Sequence, residues 1–259
     1  MARIISIVNQ KGGVGKTTTA VNVAAFLAEA GCRVLVIDFD PQGNASVGLG
    51  IDYKNLDKGI YEVLIDDALP VSDVVKIVSQ NLHVAPSTPD LAGAAVELVS
   101  HPEREFILKK NLAAVEPYYD FILIDNPPSL GLLTINSMVA AKEVLIPVQC
   151  EYYALEGLGQ LLHTIQLIKE NINPDLEILG AVLTMFDGRS KLSDAVFNEL
   201  YQFFPRKIFR SVIPRNIRLA EAPSHGKTIK EYDVWSKGGK AYRKLAQEII
   251  ESQLSYESK

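Results

Sequence analysis

Cysteine and tryptophan are scarce in this sequence: two of the former and one of the latter among 259 residues. Cys32 and Cys150 lie far apart and each abuts an apolar run. That is the setting of a buried small hydrophobe, and it argues against a disulfide framework, a zinc site or an iron–sulfur ligand set. Long apolar runs are absent as well. No stretch approaches the roughly 18 apolar residues of a membrane span. The start, MARIISIVNQ, has neither the charged region nor the small-residue cleavage site of a secretory signal. A cytoplasmic protein is expected. Internal repeats, low-complexity tracts and a Pro/Gly/Ser-rich linker are also missing, so residues 1–259 are expected to form a single domain.

Basic charge is in short supply overall, with a net charge of −5, which excludes a uniformly basic nucleic-acid binder. The deficit is uneven. Residues 1–185 carry 12 Lys and Arg against 22 Asp and Glu, whereas residues 186–259 carry 14 against 9. Within the last third, RKIFRSVIPRNIR (206–218) has five basic residues and no acid. Such a cluster is either a solvated face or a polyanion contact.

Short β-rich apolar runs alternate with helical patterns, which predicts an α/β fold: one doubly wound, mostly parallel sheet with helices on both faces. The strand candidates are RIISIV (3–8), CRVLVID (32–38), LHVAP (82–86), YDFILID (119–125), EVLIPVQ (143–149), ILGAVLTMF (178–186) and RSVIP (210–214). Asn9, Asp38 and Asp125 then lie on one rim, at the carboxyl ends of strands where open α/β sheets bind ligands. Ala20, Val21, Val23, Ala24, Leu27 and Ala28 recur at helical spacing, with a stop near Gly31. Further helices are predicted at 154–171 and 237–254. Residues 46–81 give little beyond a short apolar helix at IYEVLI (60–65).

Between the first strand and the first helix stands KGGVGKTT (11–18), a phosphate-binding loop in strand–loop–helix context, so the fold is of the P-loop NTPase kind. Gly12, Gly13 and Gly15 let the backbone turn with N–H groups inward, and the helix adds its positive end. Lys16 supplies a charge for the β and γ phosphates, Thr17 a hydroxyl for Mg²⁺, and Thr18 reaches the α-phosphate. FILID delivers Asp125 as a carboxylate for the metal. In VIDFDPQGN (36–44), Asp40 is assigned to orienting the attacking water and Asp38 to support of the metal shell, a strand-end cap being the alternative for Asp38.

KGGVGKTTTAVNVA, VLVIDFDPQGN, FILIDNPPSLGLLT, TMFDGRSKLS and IPRNIRLAEAPSHGKTI follow one another in an order that resembles the deviant phosphate-loop ATPases of the ParA, Soj and MinD group. The likeness spans nearly the whole chain and is nearest to the small chromosomal ParA/Soj partition ATPases, the DPQGN continuation favouring them over MinD. Asn126 fills a variable position of the Asp-x-Pro-Pro turn.

The resemblance implies ATP and Mg²⁺ as cofactors, with Gly12, Gly13, Val14, Gly15, Lys16, Thr17 and Thr18 around the phosphates. Lys11 becomes a signature lysine that reaches the partner's phosphates in an ATP-induced sandwich homodimer, acting with Lys16 and Asp40 in hydrolysis. Adenine recognition falls to Met185, Pro214 and Asn216. The ATP-bound dimer is expected to bind DNA without sequence preference and so to be nucleoid-associated. Arg189 and Arg218 match the surface basic positions, with Arg215, Lys191, Arg210 and Lys227 as additions. A ParB-type centromere-binding protein is implied as the partner that stimulates weak hydrolysis. The first strand begins at residue 3, so no amino-terminal helix-turn-helix module, and hence no operator-specific repression, is expected.

The principal alternative is a MinD-like membrane-associated regulator of division. It would need a basic amphipathic carboxyl-terminal helix. In residues 238–259, Tyr242, Leu245, Ile249 and Ile250 do fall at helical spacing, but Glu248, Glu251 and Glu257 dilute the basic residues, so a core-packing helix and no stable membrane association are expected. An electron-donating iron protein lacks its cysteines here. A metabolic synthetase on the same fold, or a ParA-like ATPase that positions another cargo, completes the alternatives.

Overall fold

Alternating side chains of adjacent strands divide the interior into two cores. In β2 (Val34–Asp38), Val34 and Val36 belong to one hydrophobic cluster and Leu35 and Ile37 to the other, the period-two alternation of a strand covered on both faces. The computed structural model describes residues 1–66, 68–151, 157–187, 200–205 and 207–257. They contain a seven-stranded sheet of order β3-β4-β2-β5-β1-β6-β7. Its other strands are β1 (Arg3–Ile7), β3 (Lys76–Ser79), β4 (Leu82–Ala85), β5 (Phe121–Asp125), β6 (Glu143–Gln149) and β7 (Glu177–Thr184). Every neighbouring pair is parallel except β3 with β4. Doubly wound topology, helices on both faces and six of the seven expected strands are therefore present.

Two of the sequence expectations differ from the fold. RSVIP forms no ladder strand: its neighbourhood meets the sheet through isolated bridges, Ala181 with Ile208 and Phe186 with Pro214, and through the Ile213 N–H, which donates to the Leu183 carbonyl at 2.8 Å. The reason is a carboxylate. Glu248 accepts the N–H groups of Arg210 and Ser211 at 2.9 and 2.8 Å and the Ser211 hydroxyl at 2.5 Å, diverting them from β7, while Pro214 has no N–H to give. Conversely, β3 arises inside the stretch 46–81 that had seemed uninformative. Its pattern, half-buried alternating with exposed, is that of an edge strand carrying Lys76 and Ser79.

Helix α1 (Lys16–Glu29) packs against the carboxyl-terminal helix (Lys237–Glu257) on one face. Ala20, Val23 and Leu27 from the first meet a cluster holding Tyr242, Leu245 and Ile249 from the second, all buried. The helix predicted at 154–171 spans Leu158–Asn171 among the described residues, and that at 60–65 spans Ile60–Ile65 as expected. No described helix is long and apolar enough to cross a membrane.

The connection leaving β1 runs towards β2, while that leaving β5 crosses β1 to reach β6, in the opposite direction. This divergence opens a crevice at the carboxyl ends of the strands, above β1 and β5. Register places Asp125 opposite both Ile7 and Asp38.

Because Leu245 has no exposed surface, Leu245→Ala is expected to lower the unfolding free energy by about 2–5 kcal/mol. Urea denaturation measures it, and a loss under about 1 kcal/mol would mean that the terminal helix does not complete the core.

Candidate functional site

Residues 8–15 leave β1 and turn back into α1 through two glycines in left-handed conformation, Gly13 (φ 75°) and Gly15 (φ 89°). Side chains rarely adopt that geometry, and at Gly15 space is not the obstacle, since an added Cβ would meet Thr184 only at ordinary contact distance, 3.7 Å. The loop is tied down from below: Val14 is buried, and its carbonyl accepts the Thr184 hydroxyl at 2.8 Å. Val14 therefore anchors the loop through its side chain and carbonyl, and it does not line the cavity above.

That cavity, of about 440 Å³, is lined by Gly12, Gly13, Gly15, Lys16, Thr17, Thr18 and Asp40, among others. A second cavity of about 340 Å³ adjoins it, sharing Gly15, Thr18 and Met185 and adding Pro214, Arg215 and Asn216. The phosphate-loop residues are thus brought together with Asp40 in one hollow, and Met185, Pro214 and Asn216 in its neighbour. Met185 holds a left-handed backbone (φ 52°), unusual for a non-glycine residue and placed where the two hollows meet. Asn216 Oδ1 accepts the Arg218 N–H at 2.8 Å, capping the helix Ile217–Glu221, so its amide N–H₂ is the donor that remains.

Charge at this rim is unbalanced. Asp125 has no exposed surface, and among the described residues neither of its carboxylate oxygens has a hydrogen-bond partner of full geometry, although the Thr17 hydroxyl lies near enough to favour its ionised form. Burial, then repulsion from Asp38, pushes its pKa well above the ordinary value, while the Thr17 hydroxyl and the Lys16 ammonium pull it back. Desolvation lowers the Lys16 pKa, and Asp125 and Asp40 oppose that shift. A buried carboxylate with so few donors is the group that a divalent cation satisfies, so the donor set of Asp125 and Thr17 fits magnesium.

Asp38 differs from Asp125 in having partners. Its Oδ2 accepts the Ser46 N–H and hydroxyl at 2.7 and 2.6 Å, and Oδ1 the Asp40 N–H at 3.4 Å. Of the two roles left open for it, the strand-end anchor is the one its hydrogen bonds serve. Burial still raises its pKa to about 6.

Lys11 does not line either cavity. Its ammonium stands 3.8 Å from Glu151, and Arg215 approaches the same carboxylate at 3.5 Å. Arg218 is held by Glu221 at 2.9 Å and Asp233 at 3.6 Å. Arg189 and Lys191 lie outside the described residues. Gln42, Asn44, Pro128 and Pro223, for which the sequence suggested no role, line the larger cavity, and so does Lys227, which was expected at the DNA face. They sit in DPQGN, NPPS and APSHGK, the very segments that carry the resemblance, and that was the available signal.

Residues 2–178 match the model of the AAA domain family. Over 250 residues the chain is 54% identical to the sporulation initiation inhibitor protein Soj of Bacillus subtilis, covering 96% of this chain and 98% of that one. The chain belongs to the ParA/Soj family of partition ATPases. A second ParA/Soj relative, the chromosome partitioning protein ParA of Myxococcus xanthus, is 52% identical over 96% of this chain and 88% of its own length. Among solved structures, cobyrinic acid a,c-diamide synthase from Mycobacterium smegmatis with bound ADP and magnesium superposes with a TM-score of 0.87 at 37% identity, covering 98% of this chain and 96% of that one. The septum site-determining protein MinD from Pyrococcus horikoshii, complexed with Mg-ADP, does so with a TM-score of 0.76 at 29% identity, covering 96% of each chain.

Raised acid groups set the pH response of this ParA/Soj rim. A carboxyl whose folded pKa exceeds its unfolded value stabilises fully below the unfolded pKa, and that stability is lost as pH rises through the folded one. Without a divalent cation, the Asp38 contribution is lost between about pH 4 and about pH 6. Asp125→Asn removes the buried charge and is expected to stabilise the metal-free protein by about 1–3 kcal/mol near neutral pH, and by less near pH 4. Thermal melts in chelator check this, and a lowered melting temperature at neutral pH would show that the charge is already compensated.

Proposed function

We propose that this chain is a partition ATPase that hydrolyses ATP to ADP and phosphate with Mg²⁺, pairs with a second copy of itself on ATP, and in that state binds DNA without sequence preference. One observation carries the reading: the buried Asp125 carboxylate, with no full hydrogen bond among the described residues and only Thr17 and Lys16 to favour its charge, stands beside an intact phosphate loop. The metal, once bound, neutralises charge on the β and γ phosphates. The chain's own residues do the rest. Loop N–H groups and Lys16 hold the polyphosphate, Thr17 and Asp125 hold the cation, and Asp40, in the wall of the same hollow, orients the attacking water. Met185, Pro214 and Asn216 receive the adenine.

The position of Lys11 supports a role between two copies. Its own cavity already has Lys16, whereas Lys11 faces outward, 36% exposed and paired only loosely with Glu151. A ParB-type partner that stimulates turnover and a nucleoid location in the ATP state belong to the same proposal, which the relative named for chromosome partitioning supports only in its general role. For the DNA face, Arg218 and Arg215 are each committed to carboxylates. Lys237, Lys240 and Lys244, by contrast, are exposed on the last helix and have no side-chain partner among the described residues. They join Arg189, Lys191 and Lys227 as contacts to phosphates.

DNA binding measured with ATP, with ADP and without nucleotide tests the cycle. Binding is expected only with ATP and to fall steeply with salt, and equal binding in all three states would overturn it. Lys11→Ala is expected to keep ATP affinity and lose ATP-dependent dimerisation, read by light scattering; unaltered dimerisation would remove Lys11 from the interface.

Asn216→Asp separates cap from ligand contact. A carboxylate still caps the Arg218 N–H, but the amide donor is gone. ATP affinity is expected to fall about tenfold, equivalent to about 1.4 kcal/mol, with an unchanged melting temperature. Unchanged affinity would place the base elsewhere.

A further inference from the structure

The loop that carries Asp40 is held by a buried hydrogen-bond chain reaching to the far side of β2. The N–H of Ser87, just beyond β4, donates to Ser46 Oγ at 3.2 Å. The Ser46 hydroxyl donates in turn to Asp38 Oδ2 at 2.6 Å, joined there by its own N–H at 2.7 Å. From the other carboxylate oxygen, Asp38 receives the Asp40 N–H at 3.4 Å. Ser46, Ser87 and Asp38 have no exposed surface. Beyond the chain, Asp40 Oδ1 accepts the Gln42 N–H at 3.0 Å and the Asp40 carbonyl accepts the Gly43 N–H at 2.9 Å, closing a tight turn around the carboxylate.

We propose that Ser46 is the positioning residue for Asp40: its hydroxyl, accepting from Ser87 and donating to Asp38, fixes the 40–46 segment over the phosphate hollow. The proposal rests on the reading of Asp40 as the residue that orients water. Ser46 lines no part of the hollow and so acts only through Asp38 and the backbone. The physical case is one of balance. Asp38 is a buried carboxylate beside Asp125 and Asp40, and the two Ser46 donors, followed by the Asp40 N–H, are what offset its desolvation. Removing the hydroxyl takes one donor from Asp38 and leaves the Ser87 N–H without its acceptor. Asp38 then holds the segment by the Ser46 N–H and the long Asp40 contact alone. A displacement of about 1 Å in a water-orienting group is enough to cost up to about 100-fold in rate, while the phosphate-loop N–H groups and Lys16, carried on a different segment, keep their backbone positions.

The test uses the full chain with Mg²⁺ and ATP, in single turnover, for Ser46→Ala and for the hydroxyl-retaining Ser46→Thr. Ser46→Ala is expected to lower the hydrolysis rate about 10- to 100-fold with ATP and ADP affinity within about threefold of wild type, and Ser46→Thr to restore the rate to within about threefold. A wild-type rate in Ser46→Ala overturns the proposal. So does a fall in rate matched by an equal fall in nucleotide affinity, the mark of a merely structural serine, or a loss in Ser46→Thr as deep as that in Ser46→Ala. Asp40→Ala run alongside keeps the two readings apart: if it hydrolyses ATP at the wild-type rate, the role of Asp40 fails, whatever Ser46 does.

Discussion

Buried acid groups that one lysine only partly offsets are the constraint on which the rim of this sheet depends. Asp38 and Asp125 end adjacent parallel strands in register, both without exposed surface, and Asp40 follows two residues later. Lys16 is the cation set among them, and it is itself partly desolvated. Inside a low-dielectric interior such a cluster is costly, and its cost is carried by the large cores on either face of the sheet. What the arrangement gains is discrimination: a cation with its triphosphate relieves Asp125, whereas a bare phosphate would add to the repulsion.

Around that imbalance the remaining polar groups are distributed by task. Asp38 has its donors and anchors the loop beside it, whereas Asp125 has no full hydrogen bond among the described residues, and its chemistry fits a divalent cation. Lys16 lines the hollow, while Lys11 lies outside it and faces Glu151. The same division runs through the basic last third of the chain. Its arginines near the cavity are tied to acids that build local structure, and the lysines of the terminal helix are left to solvent.

Legibility differed by the distance over which each feature is decided. The phosphate loop was readable because its glycines, lysine and threonines are contiguous and their conformations local. The buried strands were readable because VLVID and FILID are apolar on both faces. β3 was not, since an edge strand alternates like any surface segment, and RSVIP misled because its β-branched composition said nothing of Glu248, 37 residues on from Ser211. Glu151 and Ser46 carried no signal of their own, each being an ordinary polar residue until folding gives it neighbours.

By itself, then, the order of residues determined a nucleotide-binding loop between a strand and a helix, the parallel α/β frame and the likeness to partition ATPases, because each rests on short-range geometry or on composition along a strand. Only the tertiary structure decided which carboxylate lacks a full hydrogen bond, which lysine turns away from its own site and which serine ties the Asp40 loop down. Those outcomes depend on which groups meet across the crevice, and burial there sets the free energy of every unpaired charge.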